Sequence, residues 1–247
     1  MLKYHLDRII AATIEFKQND ALILLRDQNK VAEIVDQLET ELYHLIQKHN
    51  AQALRVRLVA DQSKGIIISS TSPTQEVPTE VLFPTSLDAP KPPDSPLYEV
   101  YICPHSTTPS QYTRYKTSER SLYTAARVAC ALPAQPTTDP VEVLLWNQSV
   151  ELMEGSLTSV YVKQGDYWVT PSIKCGGNDG TTRRWALEKK LCIEGVIRVD
   201  EVEEGETIRL SNGLRGFLWG VVRRRYNVNS TVTSVDTSPS RIGFIET

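Results

Sequence analysis

Along the first seventeen residues, MLKYHLDRIIAATIEFK, side chains suited to burial fall at Leu6, Ile9, Ile10, Thr13 and Ile14. This i, i+3, i+4, i+7, i+8 spacing lines one face of an α-helix. A second stripe, Val31, Ile34, Leu38, Leu42 and Leu45, predicts a helix over Asn29–Asn50 with Asn29 as its N-cap. The period then changes. In ALRVRLVADQSKGIIISS, Leu54, Val56 and Leu58 alternate with Arg55 and Arg57, and 61–65 carries turn residues ahead of Ile66–Ile68, so a β-hairpin is expected. Residues 1–82 thus read as a small α/β domain.

The segment FPTSLDAPKPPDSP (83–96) holds five prolines in 14 residues, which keep the backbone extended and out of helices or central strands. It is taken as an interdomain linker. Beyond it, LYEVYIC and VEVLLWN read as strands, with a helix over Ser118–Ala131 capped by Ser118 between them. SVELMEGSLTSVYVKQGDYWVTP predicts two strands around a turn at 163–166. Thr181–Lys190 predicts a helix, and IEGVIRVDEV and ETIRLSNG predict further strands. Residues 97–247 are therefore a larger, β-rich domain, with no internal repeat.

Charge and cysteine content narrow the partners. In 247 residues, 27 Lys+Arg against 30 Asp+Glu give a net charge of −3, without the basic excess of a phosphate-backbone binder, so no nucleic acid is expected. Cys103, Cys130, Cys175 and Cys192 lie far apart, form no CxxC pair and have no histidine at ligand spacing, so no metal is expected either. They read as reduced thiols of a cytoplasmic protein. Asp7 and Glu15 interrupt the amphipathic N-terminus, which is unlike a signal peptide. No apolar run approaches the roughly 20 residues of a membrane span.

Several residues carry candidate chemistry, each with an ordinary alternative. TPSIKCGGNDGTTRRWALEKK (170–190) puts glycines, Thr181 and Thr182 at a helix start, where free N–H groups favour an anion. Taken alone, a plain capped loop is the simpler explanation, and the segment is neither a Walker A motif nor GxGxxG. LSNGLRG (210–216) exposes a hydroxyl and N–H groups, or is simply a turn. Glu154 interrupts an apolar strand, which is costly unless it meets a proton or cation, or unless the strand is an edge with Glu154 in solvent. Lys116 in YTRYKTSERSLYTAAR is either a snorkelling surface lysine or a desolvated amine able to form an imine. His5 and Arg8 share a helix face that solvent alone would explain. His44, His49 and His105 have no partner at catalytic spacing, and neither GxSxG nor HExxH occurs.

In their order along the chain these segments resemble the fold-type IV pyridoxal-phosphate enzymes, the class IV aminotransferases, and among them the fungal-type aminodeoxychorismate lyases. HLDRI resembles the family's HxxR element, which makes Arg8 a ligand of the cofactor phosphate. YKTSER resembles the segment of the Schiff-base lysine, hence Lys116. MEGSLTS resembles the strand whose carboxylate pairs with the pyridinium nitrogen, hence Glu154. VTPSIKCGGNDGTTRR resembles the phosphate cradle, with Thr181 and Thr182 matching, and LSNGLRG the last phosphate-contacting turn, with Ser211 and Asn212. Arg120, four residues after the lysine, and Arg184 are candidates for the substrate's carboxylates, because guanidinium binds carboxylate bidentately.

The resemblance implies an α+β, two-domain fold, a small α/β domain plus a β-rich pseudo-barrel. It also implies pyridoxal 5'-phosphate as cofactor, a small-molecule substrate and a homodimer. The activity implied is conversion of 4-amino-4-deoxychorismate to 4-aminobenzoate and pyruvate, a step toward folate. The alternatives are a branched-chain or D-amino acid aminotransferase and a non-catalytic relative that keeps the fold. Two departures stand out. The family has one or two strands before the HxxR helix, whereas this chain starts just ahead of it, so the small domain is expected to lack its first strands. Ser159 stands where the family usually has asparagine.

Overall fold

The computed structural model describes residues 1–16, 28–49, 53–61 and 65–223. The described residues divide into two compact units, Met1–Val77 with Tyr115–Glu119, and Pro78–Arg114 with 120–223.

In the first unit, helix α1 (Leu2–Glu15) and helix α2 (Gln28–His49) accompany an antiparallel hairpin of β1 (Leu54–Asp61) and β2 (Gly65–Pro73). Leu6, Ile9 and Ala12 of α1 meet Leu38 of α2 and Leu58 and Ala60 of β1 in one core, as the two periodicities predict. The α1 stripe ends sooner than expected. Ile14 is 52% exposed, while Thr13 is buried with its hydroxyl donating to the Ile10 carbonyl at 2.8 Å. Asn29 lies inside α2, which starts at Gln28. Residues 62–64 of the expected turn and Asn50 fall outside the described residues. Tyr115 packs on this core, its ring 6.1 Å from that of Phe16.

The second unit comprises helices α3 (Thr79–Leu82), α4 (Gln111–Arg114), α5 (Ser121–Ala129) and α6 (Thr181–Glu188) around an eight-stranded sheet. Its strands are β3 (Leu97–Ile102), β4 (Val141–Trp146), β5 (Leu152–Gly155), β6 (Ser159–Gln164), β7 (Tyr167–Pro171), β8 (Ile193–Gly195), β9 (Thr207–Asn212) and β10 (Gly216–Arg223). They lie in the order β5-β4-β3-β10-β9-β6-β7-β8. The two ends of this order are drawn together. The Leu152 N–H donates to the Ile197 carbonyl at 2.8 Å and the Val199 N–H to the Val150 carbonyl at 2.9 Å, joining β5 to the chain just after β8. The sheet therefore curls toward a barrel, and Val100, Leu144, Leu152, Val160, Ile208 and Leu210 converge in its interior.

Three local expectations change. The helix expected from Ser118 begins at Ser121, with Arg120 at its N-cap. Thr117 Oγ1 donates to the Glu119 carbonyl at 3.3 Å, a local turn that competes with helix there. The two strands expected within 149–171 are three, because the chain turns a corner at 155–158 between β5 and β6. IEGVIRVDEV is a strand only over Ile193–Gly195 and then forms a 3₁₀ turn at Val199–Glu201. In addition, GFLWGVVR, an apolar run without alternation, forms β10, which is buried on both faces as a central strand is.

The proline-rich segment lies in the second unit and docks on the outer face of the sheet. Leu87, 2% exposed, enters a cluster with Tyr161, Trp168, Ala186 and Phe217. Asp88 accepts at one oxygen from Lys163 Nζ at 2.7 Å and Trp168 Nε1 at 2.9 Å, and Trp219 Nε1 donates to the Ala89 carbonyl at 3.3 Å. Arg209 is buried beside them, its guanidinium 3.8 Å from the centre of the Trp219 ring and without a hydrogen-bond partner among the described residues. Burial lowers its pKa to about 10, with the Asp88 charge acting in the opposite sense. No helix among the described residues is long and apolar enough to cross a membrane, and no His, Cys, Asp and Glu grouping among them is arranged to hold a metal ion.

Burial, more than the exposed ion pair, holds this strap. Leu87→Ala is expected to cost about 2–4 kcal/mol in urea unfolding, and Asp88→Asn, which keeps an acceptor, under about 1 kcal/mol. Equal costs for the two would contradict this ranking.

Candidate active site

β5 is an edge strand, yet Glu154 is only 7% exposed. Its backbone pairs with Leu145 of β4, and a close loop covers it. Gly177 lies so near that an added Cβ would run into the Met153 carbonyl oxygen, so only glycine lets this loop approach β5. The Tyr123 hydroxyl, from α5, donates to Glu154 Oε1 at 2.7 Å. Burial raises the Glu154 pKa from 4.5 to about 7; the Tyr123 hydrogen bond, the Asn178 backbone N–H and the Arg120 charge oppose the rise, and the Glu142 charge adds to it.

That rise has a cost. At about 1.36 kcal/mol per pH unit, a displacement from 4.5 to about 7 is about 3 kcal/mol. A raised folded pKa means the stabilising contribution is complete below pH 4.5 and lost as pH rises through about 7. Near pH 7 the group is thus about half ionised, its anionic form is buried and held by neutral donors, and a cation placed against it would recover the loss and hold it ionised.

Glu142 fixes the corner that follows. Its Oε1 accepts from Ser156 Oγ at 2.6 Å and the Val143 N–H at 2.8 Å, and its Oε2 from Thr158 Oγ1 at 2.7 Å and the Leu157 N–H at 3.1 Å. A fully buried carboxylate with four donors is a structural pin, and it ends β5 right after Glu154.

A second polar group gathers at the start of α6. Thr181 and Thr182 are buried there, the N-cap is Gly180, and no side chain among the described residues caps the helix. Its first N–H groups keep their capacity for an acceptor. Thr182 Oγ1 and Ser211 Oγ are 2.7 Å apart, and Ser211 Oγ and the Tyr161 hydroxyl 2.8 Å apart. Ser211 is opposite Ser159 across β9 and β6, and an added Cβ on Gly180 would fall 2.5 Å from Ser159 Oγ. A small residue at 159 therefore suits this tight start, which is the physical side of the departure noted there. Arg183 anchors the same turn, donating to the Asp179 carboxylate at 3.0 Å, the Pro171 carbonyl at 2.8 Å and the Glu194 carboxylate at 2.5 Å.

The remaining candidates are placed as follows. Asn212 Oδ1 accepts from the N–H groups of Leu214 at 3.1 Å and Arg215 at 2.8 Å, shaping the β9–β10 turn. Arg120 Nη2 donates to the Ser156 carbonyl at 2.7 Å, and its guanidinium lies 4.7 Å from the centre of the Tyr123 ring. Arg184 is half-buried, 3.9 Å from the Asp179 carboxylate. In the first unit, Arg8 is buried on α1 and Lys116 is half-buried next to Tyr115. The second unit thus brings the Arg120 charge to bear on Glu154 and joins Thr182 to Ser211, while Asn212 bonds within its own turn. Sequence reasoning missed Tyr123, Glu142, Tyr161 and Arg183. Glu142 in VEVLLW carried the same signal as Glu154, an acid within an apolar strand.

Comparisons with known proteins bear on the family and the fold. The profile of the family described as "Amino-transferase class IV" matches residues 1–220. A Saccharomyces cerevisiae protein named aminodeoxychorismate lyase is 32% identical over 142 residues, 52% of this chain and 38% of that protein. The chain thus spans well under half the length of that curated relative. Among solved structures, 4-amino-4-deoxychorismate lyase from Pseudomonas aeruginosa superposes with a TM-score of 0.57 at 14% identity, over 91% of this chain and 78% of the other. The branched-chain amino acid aminotransferase of Escherichia coli also gives 0.57, at 12% identity over 88% and 68%. These two likenesses show the fold, and the profile shows the lineage. The chain belongs to the class IV aminotransferase family.

Proposed function

We propose that this chain is a pyridoxal-phosphate-dependent lyase that converts 4-amino-4-deoxychorismate to 4-aminobenzoate and pyruvate. The observation that carries the reading is Glu154, a buried carboxyl held by hydroxyl and N–H donors with no cation bonded to it among the described residues. Such a group suits a protonated ring nitrogen. The residues that resemble the family's motifs have chemistry suited to the rest of the cofactor. Thr181, Thr182, Ser211 and Asn212 offer hydroxyls and N–H groups, Arg8 a guanidinium for the phosphate, and Lys116 an amine for the aldehyde carbon. The named yeast relative favours the lyase over other reactions of the family.

When bound, the cofactor supplies an electron sink for reactions at the amine-bearing carbon of the substrate. Lys116 Nζ would take the proton from that carbon, and Glu154 would hold a negative charge for the ring nitrogen. The ring carbon–oxygen bond would then break, the electron pair leaving with oxygen as enolpyruvate. Enolpyruvate gains a proton in exchange for the one removed and becomes pyruvate; the aromatic ring left behind drives the reaction. Arg120 and Arg184 orient the substrate carboxylates. A second reading, an aminotransferase for branched-chain or D-amino acids, is favoured by the family profile itself and uses the same lysine and glutamate.

Two outcomes are expected. Protein supplied with pyridoxal phosphate releases pyruvate from 4-amino-4-deoxychorismate in a lactate dehydrogenase-coupled assay, and Lys116→Ala lowers the rate by about 10²–10⁴-fold, the usual range for a lost acid–base group. Absence of pyruvate release from the cofactor-loaded protein would sink the lyase reading. The rate is also expected to be independent of added 2-keto acid; strict dependence on one would establish the aminotransferase instead.

A further inference from the structure

We propose that Tyr123 is the positioning residue of Glu154, its hydroxyl orienting the carboxyl and holding it as an anion for the ring nitrogen of a bound pyridoxal group. The role given to the anion rests on the function proposed above. The hydrogen bond does not.

Tyr123 and Glu154 are 6% and 7% exposed, and the phenol donates to Oε1 at 2.7 Å. Packing fixes the ring, which sits among Tyr101, Ala126, Cys130, Val143 and Leu145 at the junction of α5 with β3 and β4. The hydroxyl has one proton and two acceptors within reach, Glu154 Oε1 and the Thr113 carbonyl at 3.5 Å. With the carboxylate ionised, the phenol donates along the short contact, a charge-assisted bond. With the carboxyl protonated, that short contact can be kept by the acid donating to the phenol oxygen, leaving the phenol proton only the long contact to Thr113. The geometry therefore favours the anion.

The neighbours reinforce that direction. Burial, and then the nearby Glu154 charge, push the Tyr123 phenol well above its ordinary range, so it stays a donor throughout the neutral range. Arg120 lies over the ring 4.7 Å from its centre while bonded to the Ser156 carbonyl, and a cation on the ring face makes the phenol a stronger donor. The groups acting on Glu154 are Tyr123 and Arg120 beside α5, Glu142 from β4 and the backbone N–H of Asn178. Of these, Glu142 is the like charge and is already held by four donors. Tyr123 is then the one side chain that bonds the Glu154 carboxyl among the described residues.

The test follows the Glu154 carboxyl carbon by NMR in the full chain labelled with ¹³C-glutamate, without added ligand, across pH 5–9. Its resonance is assigned by its loss in Glu154→Gln. The wild-type midpoint is expected near 7. Tyr123→Phe is expected to raise it by about one pH unit, the size of a lost hydrogen bond to a charged group. Replacing Tyr123 by 3-fluorotyrosine, which keeps the ring's place while strengthening the donor, is expected to lower it. Midpoints unchanged in both variants would overturn the proposal, and the fluorotyrosine arm decides if Tyr123→Phe does not fold. Adding pyridoxal phosphate separates the two claims. A Glu154 resonance that responds to Tyr123 but not to the cofactor overturns the role assigned to the anion, and a response to both supports it.

Discussion

Holding Glu154 ionised out of water at the end of a β-strand costs about 3 kcal/mol even after its donors have offset part of the burial, on the displacement from 4.5 to about 7. Much of the second unit is arranged so that this cost can be borne. β5 ends at the corner pinned by Glu142, Gly177 lets the covering loop close over the strand, and α5 brings Tyr123 to the carboxylate oxygen. These contacts make the anion tolerable, and a protonated ring nitrogen is the kind of group that would make it favourable.

The curl of the sheet makes this arrangement possible. An edge strand in a flat sheet would leave its carboxyl in solvent. The bonds from Leu152 to Ile197 and from Val199 to Val150 tie β5 to the chain beyond β8, so the edge is covered. The same curl sends Ile208 and Leu210 inward and leaves Ser211 on the opposite face, where it meets Thr182 and Tyr161 at the start of α6. A hydroxyl cluster beside uncapped helix N–H groups and a buried carboxylate are two outcomes of one backbone geometry.

What the sequence disclosed, and what it did not, follows from range. The amphipathic stripes of α1 and α2 and the alternation of β1 are local signals, and the helices and the hairpin follow them. Glu154 stood out as an acid within an apolar strand, whereas Thr182 and Ser211 stood at a helix start and a turn that ordinary capping also explains. β10 was not, since an unbroken apolar run looks alike in a strand and in a buried helix. The start of α5 was misplaced because Thr117 bonds its own neighbourhood. Tyr123 was invisible for a different reason. Its partner is 31 positions away, and nothing local distinguishes its hydroxyl from that of any other half-apolar helix residue.

The central claim, that this chain uses a pyridoxal cofactor through Lys116, is tested most directly by trapping. Purified protein is incubated with pyridoxal phosphate, reduced with borohydride, digested and analysed by mass spectrometry. The account predicts a phosphopyridoxyl group on the peptide bearing Lys116, displaced by prior addition of an amine substrate. No stable attachment, or attachment spread over exposed lysines with Lys116 unmodified, would contradict it.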